Sequence, residues 1–435
     1  MKKALLEKIR QKTAVLGVVG LGYVGLPLAV EKAKAGYRTI GFDIQQEKVA
    51  MVNAGKNYIG DIVPEDLAAV VSSAHLSATE DYSKLKEIDC VAICVPTPLD
   101  LYQQPDVSYV VNSAQEIAKY LHSGMLIVLE STTYPGTTEE IIKPILEATG
   151  LKTGKDFYLA FSPERVDPGN QHYNTKNTPK VVGGVTSDCT EVAAALYEEV
   201  LEGDIHTVSS PAVAEMEKIL ENTFRILNIG LANEMALICN KMGIDVWEVV
   251  DAAKSKPYGF MPFYPGPGVG GHCIPIDPFY LTWKAREYNY HTRLIETAGE
   301  INNSMPEFVV DRAMKILNRF GQSLKGAKVL VLGVAYKQDI DDVRQSPALE
   351  VIANLEKYEA DITYHDPFVA SFSYKGKSYE SAELTKPLVA QADLVILTTM
   401  HTGFDYGWIA RHARMIFDTK NAFKEVEQRG NIEKL

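Results

Sequence analysis

The apolar run Ala14-Val-Leu-Gly-Val-Val19 is followed at once by the glycine-rich turn Gly20-Leu-Gly22-Tyr-Val-Gly25. A helical pattern then extends from Leu26 to Ala35, and Tyr37 to Phe42 forms a second predicted strand that ends at Asp43. Strand, glycine turn, helix and a carboxylate about 20 residues further on are the pattern of a dinucleotide-binding βαβ unit. The sequence therefore predicts a Rossmann-like fold at this end of the chain.

Each residue of the turn has an expected duty in that fold. Gly20 makes the tight turn, Gly22 lets a pyrophosphate approach the backbone at the helix N-terminus, and Gly25 allows helix and strand to pack closely. Asp43 would accept hydrogen bonds from the adenine ribose and repel a 2′-phosphate, which favours NAD over NADP. The alternative, a glycine turn without a ligand, is less favoured because the whole βαβ context is present.

Further strands are predicted at Cys90 to Val95 and Leu126 to Leu129, each leading into a polar loop. Alternating strands and helices predict a doubly wound parallel sheet, in which ligands bind beyond the carboxyl ends of the strands. Both loops, at 96–98 and 130–136, fall at that edge. Cys90 and Cys94 lie on one strand face and are expected in the core.

A third polar loop follows the predicted strand Tyr158 to Phe161 and contains Glu164 and Arg165. Glu164 is a candidate catalytic carboxylate at the sheet edge. The alternative is that Glu164 and Arg165 form a solvated surface pair.

From Pro211 to about Lys254 the pattern is helical, longer than an average helix. Lys218, Asn222 and Arg225 share one face of it. Such a stripe is commonly a solvated charged face, but the apolar residues elsewhere on this helix allow the stripe to face a cleft.

Two further helices, at Tyr280 to Glu287 and His291 to Phe320, precede a second α/β unit. Its predicted strands are Lys328 to Leu332, Asp361 to His365, Asp393 to Thr398 and Met415 to Phe417. This unit has Gly333 but lacks the Gly-x-Gly-x-x-Gly pattern, so the NAD argument does not extend to it. The fold class predicted for the chain is α/β, with two Rossmann-like doubly wound parallel-sheet domains joined by a long central helix.

The loop between the two α/β units, Tyr264-Pro-Gly-Pro-Gly-Val-Gly-Gly-His-Cys273-Ile-Pro-Ile-Asp277-Pro278, is rich in glycine and proline and presents one cysteine. A lone thiol is more often a small core residue than a nucleophile. Beside an NAD site, however, a thiol can convert an aldehyde into a thiohemiacetal and then a thioester. The residues suggest an NAD-linked oxidation of an alcohol or aldehyde.

Composition sets the remaining bounds. The 435 residues, with 46% hydrophobic and 23% charged side chains, indicate a globular protein of two or three domains. The net charge of −12 argues against a nucleic-acid binder. Five cysteines without metal-ligand spacing suggest reduced thiols in a cytoplasmic protein and imply no structural metal. Met1 to Thr13 predicts a short amphipathic helix, and no apolar stretch predicts a membrane span.

Six motifs in order resemble the UDP-glucose/GDP-mannose dehydrogenase family, over about Ala14 to Phe423. They are Gly20-Leu-Gly-Tyr-Val-Gly-Leu-Pro27, Val95-Pro-Thr-Pro98, Glu130-Ser-Thr-Thr-Tyr-Pro-Gly136, Ser162-Pro-Glu-Arg165, Glu221-Asn-Thr-Phe-Arg225 and Pro265-Gly-Pro-Gly-Val-Gly-Gly-His-Cys-Ile-Pro-Ile-Asp-Pro278. Within the family, the segments 167–170 and 277–287 are most similar to those of bacterial UDP-N-acetylglucosamine 6-dehydrogenases.

The resemblance implies a four-electron oxidation of C6 of a nucleotide sugar with two NAD molecules in succession. Cys273 would be the nucleophile, and Lys218 and Asn222 would stabilise the developing oxyanions. Asp277 would act with Lys218 and a water in proton transfer, and Glu164 would assist thioester hydrolysis. The expected cofactor-binding residues are Gly20, Gly22, Tyr23, Val24, Gly25, Asp43, Lys48, Pro96, Thr97 and Thr133, of which Thr133 would also lie near the catalytic water.

For the nucleotide sugar, the resemblance implies binding by the central loop and by basic residues of the last domain. The expected substrate-binding residues are Glu164, Arg165, Lys218, Asn222, Arg225, Phe263, Tyr264, Gly266, Gly268, Gly270, Lys337, Arg344 and Lys420. Lys420 stands where the family often has arginine, so it keeps the charge but loses the bidentate fork.

The resemblance also implies a homodimer built around the long helix, and three domains. These are an NAD-binding domain at 1–207, a helical dimerisation domain with the cysteine loop at 208–320, and a UDP-binding domain at 321–435. UDP-glucose and UDP-N-acetylmannosamine remain alternative substrates, and an NAD-binding regulator that uses Cys273 as a redox switch is the non-enzyme alternative.

Overall fold

The computed structural model describes residues 1–60, 62–100, 102–167, 169–170, 172–427 and 430–435. The chain divides into two compact units. The first contains Met1–Glu221 with Trp283–Tyr290, and the second contains Asn222–Thr282 with His291–Leu435. The division into three domains by residue number is a different cut and stays a prediction.

The first unit is built on an eight-stranded sheet in the order β3-β2-β1-β4-β5-β6-β7-β8. Its strands are β1 Val15–Val19, β2 Arg38–Phe42, β3 Leu76–Thr79, β4 Cys90–Ile93, β5 Leu126–Leu129, β6 Tyr158–Phe161, β7 Lys180–Gly184 and β8 Ile205–Val208. Neighbouring strands are parallel except β6 and β7, which are antiparallel. The order reverses between β1 and β4, so the edge beyond these strands is where a doubly wound sheet binds its ligand.

Helices cover both faces of this sheet. They are α1 Lys2–Arg10, α2 Gly25–Lys34, α3 Gln46–Asn53, α4 Pro64–Ser72, α5 Ser108–Tyr120, α6 Lys143–Glu147 and α7 Ser187–Val200. Leu16 and Val18 of β1 pack in one apolar cluster and Val19 packs in another, because successive strand residues point to opposite faces. Cys90 and Cys94 are buried in the same cluster, as predicted.

Helix α8 spans Pro211–Met242, and the predicted continuation to Lys254 is wrong. The helix ends before Gly243, whose φ of +70° leaves the helical region. A separate helix, α9 Val246–Lys254, then starts with Asp245, whose carboxylate accepts hydrogen bonds from the backbone N–H of Trp247 and Glu248. Sequence periodicity continued across this break because both helices are amphipathic.

The second unit contains a five-stranded parallel sheet in the order β10-β9-β13-β14-β15 and a hairpin of β11 and β12. Its strands are β9 Lys328–Leu332, β10 Asp361–His365, β11 Ser371–Tyr374, β12 Lys377–Glu380, β13 Leu394–Leu397, β14 Ile416–Asp418 and β15 Ile432–Lys434. The remaining helices of the chain are α10 Asp277–Ala285, α11 Arg293–Arg319, α12 Pro347–Lys357, α13 Lys386–Gln391 and α14 Tyr406–His412. Val329 and Val331 pack on one face of this sheet and Leu330 and Leu332 on the other, so it too has two buried faces. The predicted fold class is confirmed.

Candidate active site

The turn after β1 needs glycine at two positions and leaves the third open. Gly20 has φ +91°, and a Cβ there would lie 2.6 Å from the carbonyl oxygen of Cys94. A Cβ on Gly25 would lie 1.8 Å from the carbonyl oxygen of Gly20, so glycine is required for α2 to start so close to the strand. A Cβ on Gly22 would have no heavy atom within 4 Å, which leaves space for a pyrophosphate at the start of α2.

Asp43 lies beside this turn with two backbone donors already bound. Its Oδ2 accepts from the N–H of Leu21 at 2.9 Å, and its Oδ1 accepts from the N–H of Gln45 at 2.9 Å. A carboxylate oxygen has two lone pairs, so each oxygen retains one for a ribose hydroxyl. Lys48, on α3, is half-buried.

The loops after β4 and β5 are joined to each other. Thr97 donates its hydroxyl to the carbonyl oxygen of Thr132 at 2.7 Å, and Ser131 donates to that of Val95 at 2.8 Å. The Thr133 hydroxyl is buried and has no hydrogen-bond partner among the described residues. Because an unsatisfied buried hydroxyl costs free energy, this group fits a bound ligand or water at the loop. The residues present therefore fit an NAD site.

Pro96, Tyr23 and Val24 border the same turn and loops. Pro96 and Tyr23 are exposed, and Val24 is half-buried at the start of α2. All three stay predicted cofactor contacts.

Glu164 and Arg165 do not form the surface pair considered above. Glu164 Oε1 accepts from the backbone N–H of Arg165 at 2.8 Å and of Val166 at 3.0 Å. The Arg165 guanidinium instead bonds Glu221 and lies 3.4 Å from Glu217. Burial and the Glu221 carboxylate raise the pKa of Glu217 to about 7. To bind a substrate, the Arg165 guanidinium must therefore either break its contacts with the Glu217 and Glu221 carboxylates or keep them while it also contacts the substrate.

The polar stripe on α8 is mostly buried. Lys218, in the first unit, is 7% exposed, and Asn222, in the second, is 4% exposed, whereas Arg225 is exposed. The solvated-face alternative is wrong for Lys218 and Asn222. Burial of an amine and an amide at adjacent turns is expected where they serve polar chemistry, because each costs free energy in an apolar setting.

Cys273 lies in a turn that starts α10 and is half-buried. Its carbonyl oxygen accepts from the N–H of Ile276 at 3.0 Å and of Asp277 at 2.8 Å. The buried Asn222 amide donates to Asp277 Oδ2 at 2.6 Å. Within the second unit, the structure thus brings together the predicted amide and carboxylate and attaches them to the turn of the predicted nucleophile.

The glycine loop before Cys273 is anchored by Asn233, which the sequence analysis did not identify, and lies against two residues that it did. Gly266 donates its N–H to Asn233 Oδ1 at 2.9 Å, and a Cβ on Gly266 would lie 2.7 Å from Lys420 Nζ. The N–H of Gly271 donates to the carbonyl oxygen of Arg344 at 3.1 Å. The loop thus lies against two of the predicted substrate-binding cations.

The two cations, Lys420 and Arg344, differ in their surroundings. Burial lowers the pKa of Lys420 to about 8, and the Asp418 carboxylate only partly opposes this. Arg344 is held by Asp342 through Nε at 2.9 and 3.0 Å and Nη2 at 2.6 Å, so an anion would compete with that carboxylate. Lys337, in the same loop as Arg344, is half-buried.

Other glycines of the loop are sterically required. Gly268 has φ +135°, and a Cβ there would lie 2.9 Å from Pro347. A Cβ on Gly270 would lie 2.6 Å from Tyr336. These close approaches are the reason that the loop is so rich in glycine.

Phe263 and Tyr264 pack on helices. The Phe263 ring meets Phe224 edge-on at 5.8 Å, and Tyr264 stacks on Trp247 at 5.9 Å. The Tyr264 hydroxyl also donates to Asp251 at 2.7 Å. Both aromatic rings therefore fix the start of the loop.

Sequence reasoning also missed Lys180 and Tyr197, which form a buried cluster with Glu130 in the first unit. A lysine at the start of a strand and a tyrosine within a helix carry no sequence signal for this contact. Only Glu130 lies in a quoted motif.

Among the described residues, no helix combines the length and apolar character needed to cross a bilayer. The same residues include no group of three or more His, Cys, Asp or Glu arranged to hold a metal ion.

Comparison with known proteins identifies the parts of the chain. Residues 14–201 match the NAD binding domain of the UDP-glucose/GDP-mannose dehydrogenase family, residues 212–304 its central domain and residues 330–425 its UDP binding domain. The UDP-N-acetyl-D-glucosamine 6-dehydrogenase of Pseudomonas aeruginosa is 38% identical over 90% of this chain and 92% of its own.

Two solved structures have the same fold. The UDP-D-ManNAc dehydrogenase of Pyrococcus horikoshii superposes with a TM-score of 0.88, at 33% identity over 97% of this chain and 98% of its own. A UDP-glucose dehydrogenase of Pyrobaculum islandicum gives 0.82, at 29% identity over 95% of this chain and 96% of its own. The chain therefore belongs to the UDP-glucose/GDP-mannose dehydrogenase family and is an NAD-dependent oxidoreductase of UDP-sugars.

Proposed function

We propose that this enzyme oxidises C6 of UDP-N-acetylglucosamine to the uronate in two NAD-dependent steps, with Cys273 as the nucleophile. The observation that carries the site assignment is the 2.6 Å hydrogen bond between Asn222 and Asp277, on the turn that presents Cys273. Structural asparagine–carboxylate pairs are common, but this one joins two residues at family positions beside a thiol. A buried carboxylate held by an amide donor is suited to proton transfer.

The roles follow from the chemistry at each atom. The C6 alcohol loses a proton, through Asp277, Lys218 and a water, and a hydride that NAD accepts. The Cys273 sulfur bonds to the resulting aldehyde carbon, and Lys218 and Asn222 stabilise the oxyanion. The oxyanion then expels a second hydride from the same carbon, which a second NAD would accept, and the product is a thioester.

Hydrolysis completes the reaction. Glu164 accepts a proton from a water molecule as the water oxygen bonds to the thioester carbon. The C–S bond then breaks and releases Cys273 as a thiolate. The products are the uronate and a regenerated cysteine. The Thr133 hydroxyl is buried without a hydrogen-bond partner among the described residues, which supports a position for Thr133 beside the catalytic water.

The sugar is assigned from resemblance. The Pseudomonas aeruginosa relative is named a UDP-N-acetyl-D-glucosamine 6-dehydrogenase. The sequence segments at 167–170 and 277–287 are most similar to those of bacterial enzymes with that activity. UDP-N-acetylmannosamine and UDP-glucose are the substrates named for the two solved relatives and are the alternatives. The redox-regulator alternative is not favoured, because these relatives are all named dehydrogenases.

Purified enzyme with NAD should form two NADH per sugar from UDP-N-acetylglucosamine, and at least tenfold more slowly from the other two sugars. Faster turnover of either alternative would overturn the sugar assignment. Cys273→Ser should lose full turnover while binding NAD with unchanged affinity, and unchanged NADH formation by this variant would overturn the nucleophile role. Cys239→Ser, at a buried cysteine outside the proposed site, is the matched control.

We also propose a homodimer through α8. Leu220, Phe224, Leu231, Ile238 and Met242 are exposed on this helix at spacings of four and seven residues, which suits a helix–helix seam. The family matches support the three-domain division at 1–207, 208–320 and 321–435, and the cysteine content supports a cytoplasmic location.

A further inference from the structure

Lys180 is a buried cation beside the loop of Glu164. It is the first residue of β7, which pairs antiparallel with β6 directly before that loop. Its side chain is 5% exposed, and its Nζ donates to Glu130 Oε2 at 2.7 Å and to the carbonyl oxygen of Pro163 at 3.2 Å. Lys180 Nζ also lies 3.9 Å from Glu164 Oε2.

Glu130 and Tyr197 fix this ammonium. Glu130 is fully buried, with Oε2 bound to Lys180 and Oε1 accepting from the Tyr197 hydroxyl. Lys180 Nζ also lies 5.1 Å from the centre of the Tyr197 ring. A buried charge with three fixed neighbours cannot turn away to solvent, so its field on Glu164 is constant.

The charge states are set by the same burial. Burial alone would lower the pKa of Lys180, but the Glu130 and Glu164 carboxylates raise it above its usual value, so the amine stays charged. Burial and Glu130 raise the pKa of Tyr197 well above its usual value, so its hydroxyl stays a donor.

Among the described residues, hydrogen-bond donors hold Glu164 through one carboxylate oxygen. Oε1 is occupied by the two backbone N–H groups described above, whereas Oε2 is turned toward Lys180 at a distance beyond a hydrogen bond. Oε2 can therefore accept a proton from water while it remains in the field of the ammonium.

We propose that Lys180, oriented by Glu130 and Tyr197, is a positioning residue that holds the Glu164 carboxylate in place, and thereby controls thioester hydrolysis but not the two hydride transfers. The inference rests on the proposed function, because Glu164 is the hydrolytic base there. Other groups act electrostatically on Glu164 or its partners. They are Cys94 directly after β4, the buried Lys32 of α2, which interacts with Glu130 and Lys180, and Arg165, which is itself paired with Glu221.

The test uses the full enzyme with Lys180→Met, Lys180→Arg and the double variant Lys180→Met/Glu130→Gln. The double variant removes both buried charges, so no carboxylate is left without its partner. Lys176→Met, at a lysine whose side chain is 41% exposed and paired with Glu202, is the matched control. Rapid mixing with NAD and UDP-N-acetylglucosamine separates the burst of NADH from steady turnover, and the mass of acid-quenched protein reports a thioester on Cys273.

In Lys180→Met and the double variant, we expect a burst within twofold of the unaltered enzyme, steady turnover slower by about tenfold or more, and accumulated thioester. Lys180→Arg should restore most of the turnover, since it keeps the charge.

Equal loss of burst and steady rate in both methionine variants would overturn the inference, as would a Lys180→Arg variant that turns over as slowly as Lys180→Met. Glu164→Gln is the benchmark for the proposed function. If Glu164→Gln accumulates no thioester, the hydrolytic role of Glu164 is wrong and the role of Lys180 fails with it. If Glu164→Gln accumulates thioester but the Lys180 variants do not, only the inference about Lys180 fails.

Discussion

The two sheets have similar turns after their first strands, β1 and β9. In the first sheet the carboxylate of the turn keeps lone pairs for a ligand, whereas in the second sheet it does not. After β1, Gly20 has φ +91° and Asp43 accepts from the next residue, Leu21. After β9, Gly333 has φ +78° and Asp366 accepts from the next residue, Val334, at 2.6 Å. In both sheets a glycine and a carboxylate at the end of the second strand close the same turn.

The difference lies in what else reaches the carboxylate. Asp366 also accepts from the N–H groups of Ala335, Phe368 and Val369 and from Nε2 of the buried His401. Its lone pairs are consumed by its own chain, whereas Asp43 retains one on each oxygen. A glycine and an aspartate at these positions therefore build the strand junction, and the remaining lone pairs of Asp43 beside the short glycine turn fit the predicted cofactor site.

Substitution of the turn glycines should produce the largest effect. Gly25→Ala places a methyl group into the Gly20 carbonyl, and we expect the first unit to lose about 3 kcal/mol or more of its free energy of unfolding. Gly22→Ala meets no protein atom within 4 Å, so this variant should keep its stability but bind NAD at least about tenfold more weakly. Urea denaturation and calorimetric NAD titration measure the two quantities.

Gly403→Ala, in equally open space in the second unit, should change neither quantity. If Gly22→Ala bound NAD normally, the open face of the turn would not be the pyrophosphate site.

The paired substitution of the two aspartates tests the comparison directly. Asp366→Asn leaves some of its donors without an acceptor, so we expect roughly 2 kcal/mol lower stability of the second unit and unchanged NAD affinity. Asp43→Asn should weaken NAD binding by about 10- to 100-fold, at a stability cost under about 1 kcal/mol. Equal effects of the two variants on NAD would contradict the distinction.

Acid unfolding adds an independent readout on Asp366. Burial raises the pKa of this carboxyl, but the hydrogen bond and charge of His401 and the backbone donors outweigh it, so the pKa is below its usual value. A depressed pKa contributes stability above the unfolded-state value of about 3.9, and that stability is lost as pH falls through the folded-state value. Asp366→Asn should remove this part of the acid dependence.

The sequence was sufficient for the fold class and for the motif residues, because glycine spacing and apolar strands act locally. It missed six strands of three to five residues, namely β3, β7, β8, β11, β12 and β15, and it ran α8 through the break at Gly243. The side-chain contacts of the site residues could not be predicted from the sequence either. Nothing in the spacing shows that Arg165 binds Glu221 or that Lys180 lies beside Glu164, since strand pairing and helix packing bring these residues together.

The smallest expected effect concerns Lys420. This lysine is a predicted substrate-binding residue of the second unit, which lacks the dinucleotide-binding glycine turn. Its Nζ lies against Gly266, and its pKa of about 8 is below that of an ordinary lysine. Folding therefore releases a proton between about pH 8 and 10.5, so the stability of the second unit should rise with pH across that window. Bound UDP pyrophosphate would reverse this, because a nearby anion favours the ammonium.

At pH 8, we expect UDP binding to take up about half a proton, since Lys420 is then half-charged before binding. Calorimetry in two buffers of different ionisation enthalpy measures the uptake. Lys420→Met should abolish it and weaken UDP binding, and Lys424→Met, at an exposed lysine nearby, should leave it unchanged. Undiminished uptake in Lys420→Met would assign the proton to another group. Zero uptake in the unaltered enzyme would mean that Lys420 does not meet the pyrophosphate, and the second sheet would then bind UDP through Lys337 and Arg344.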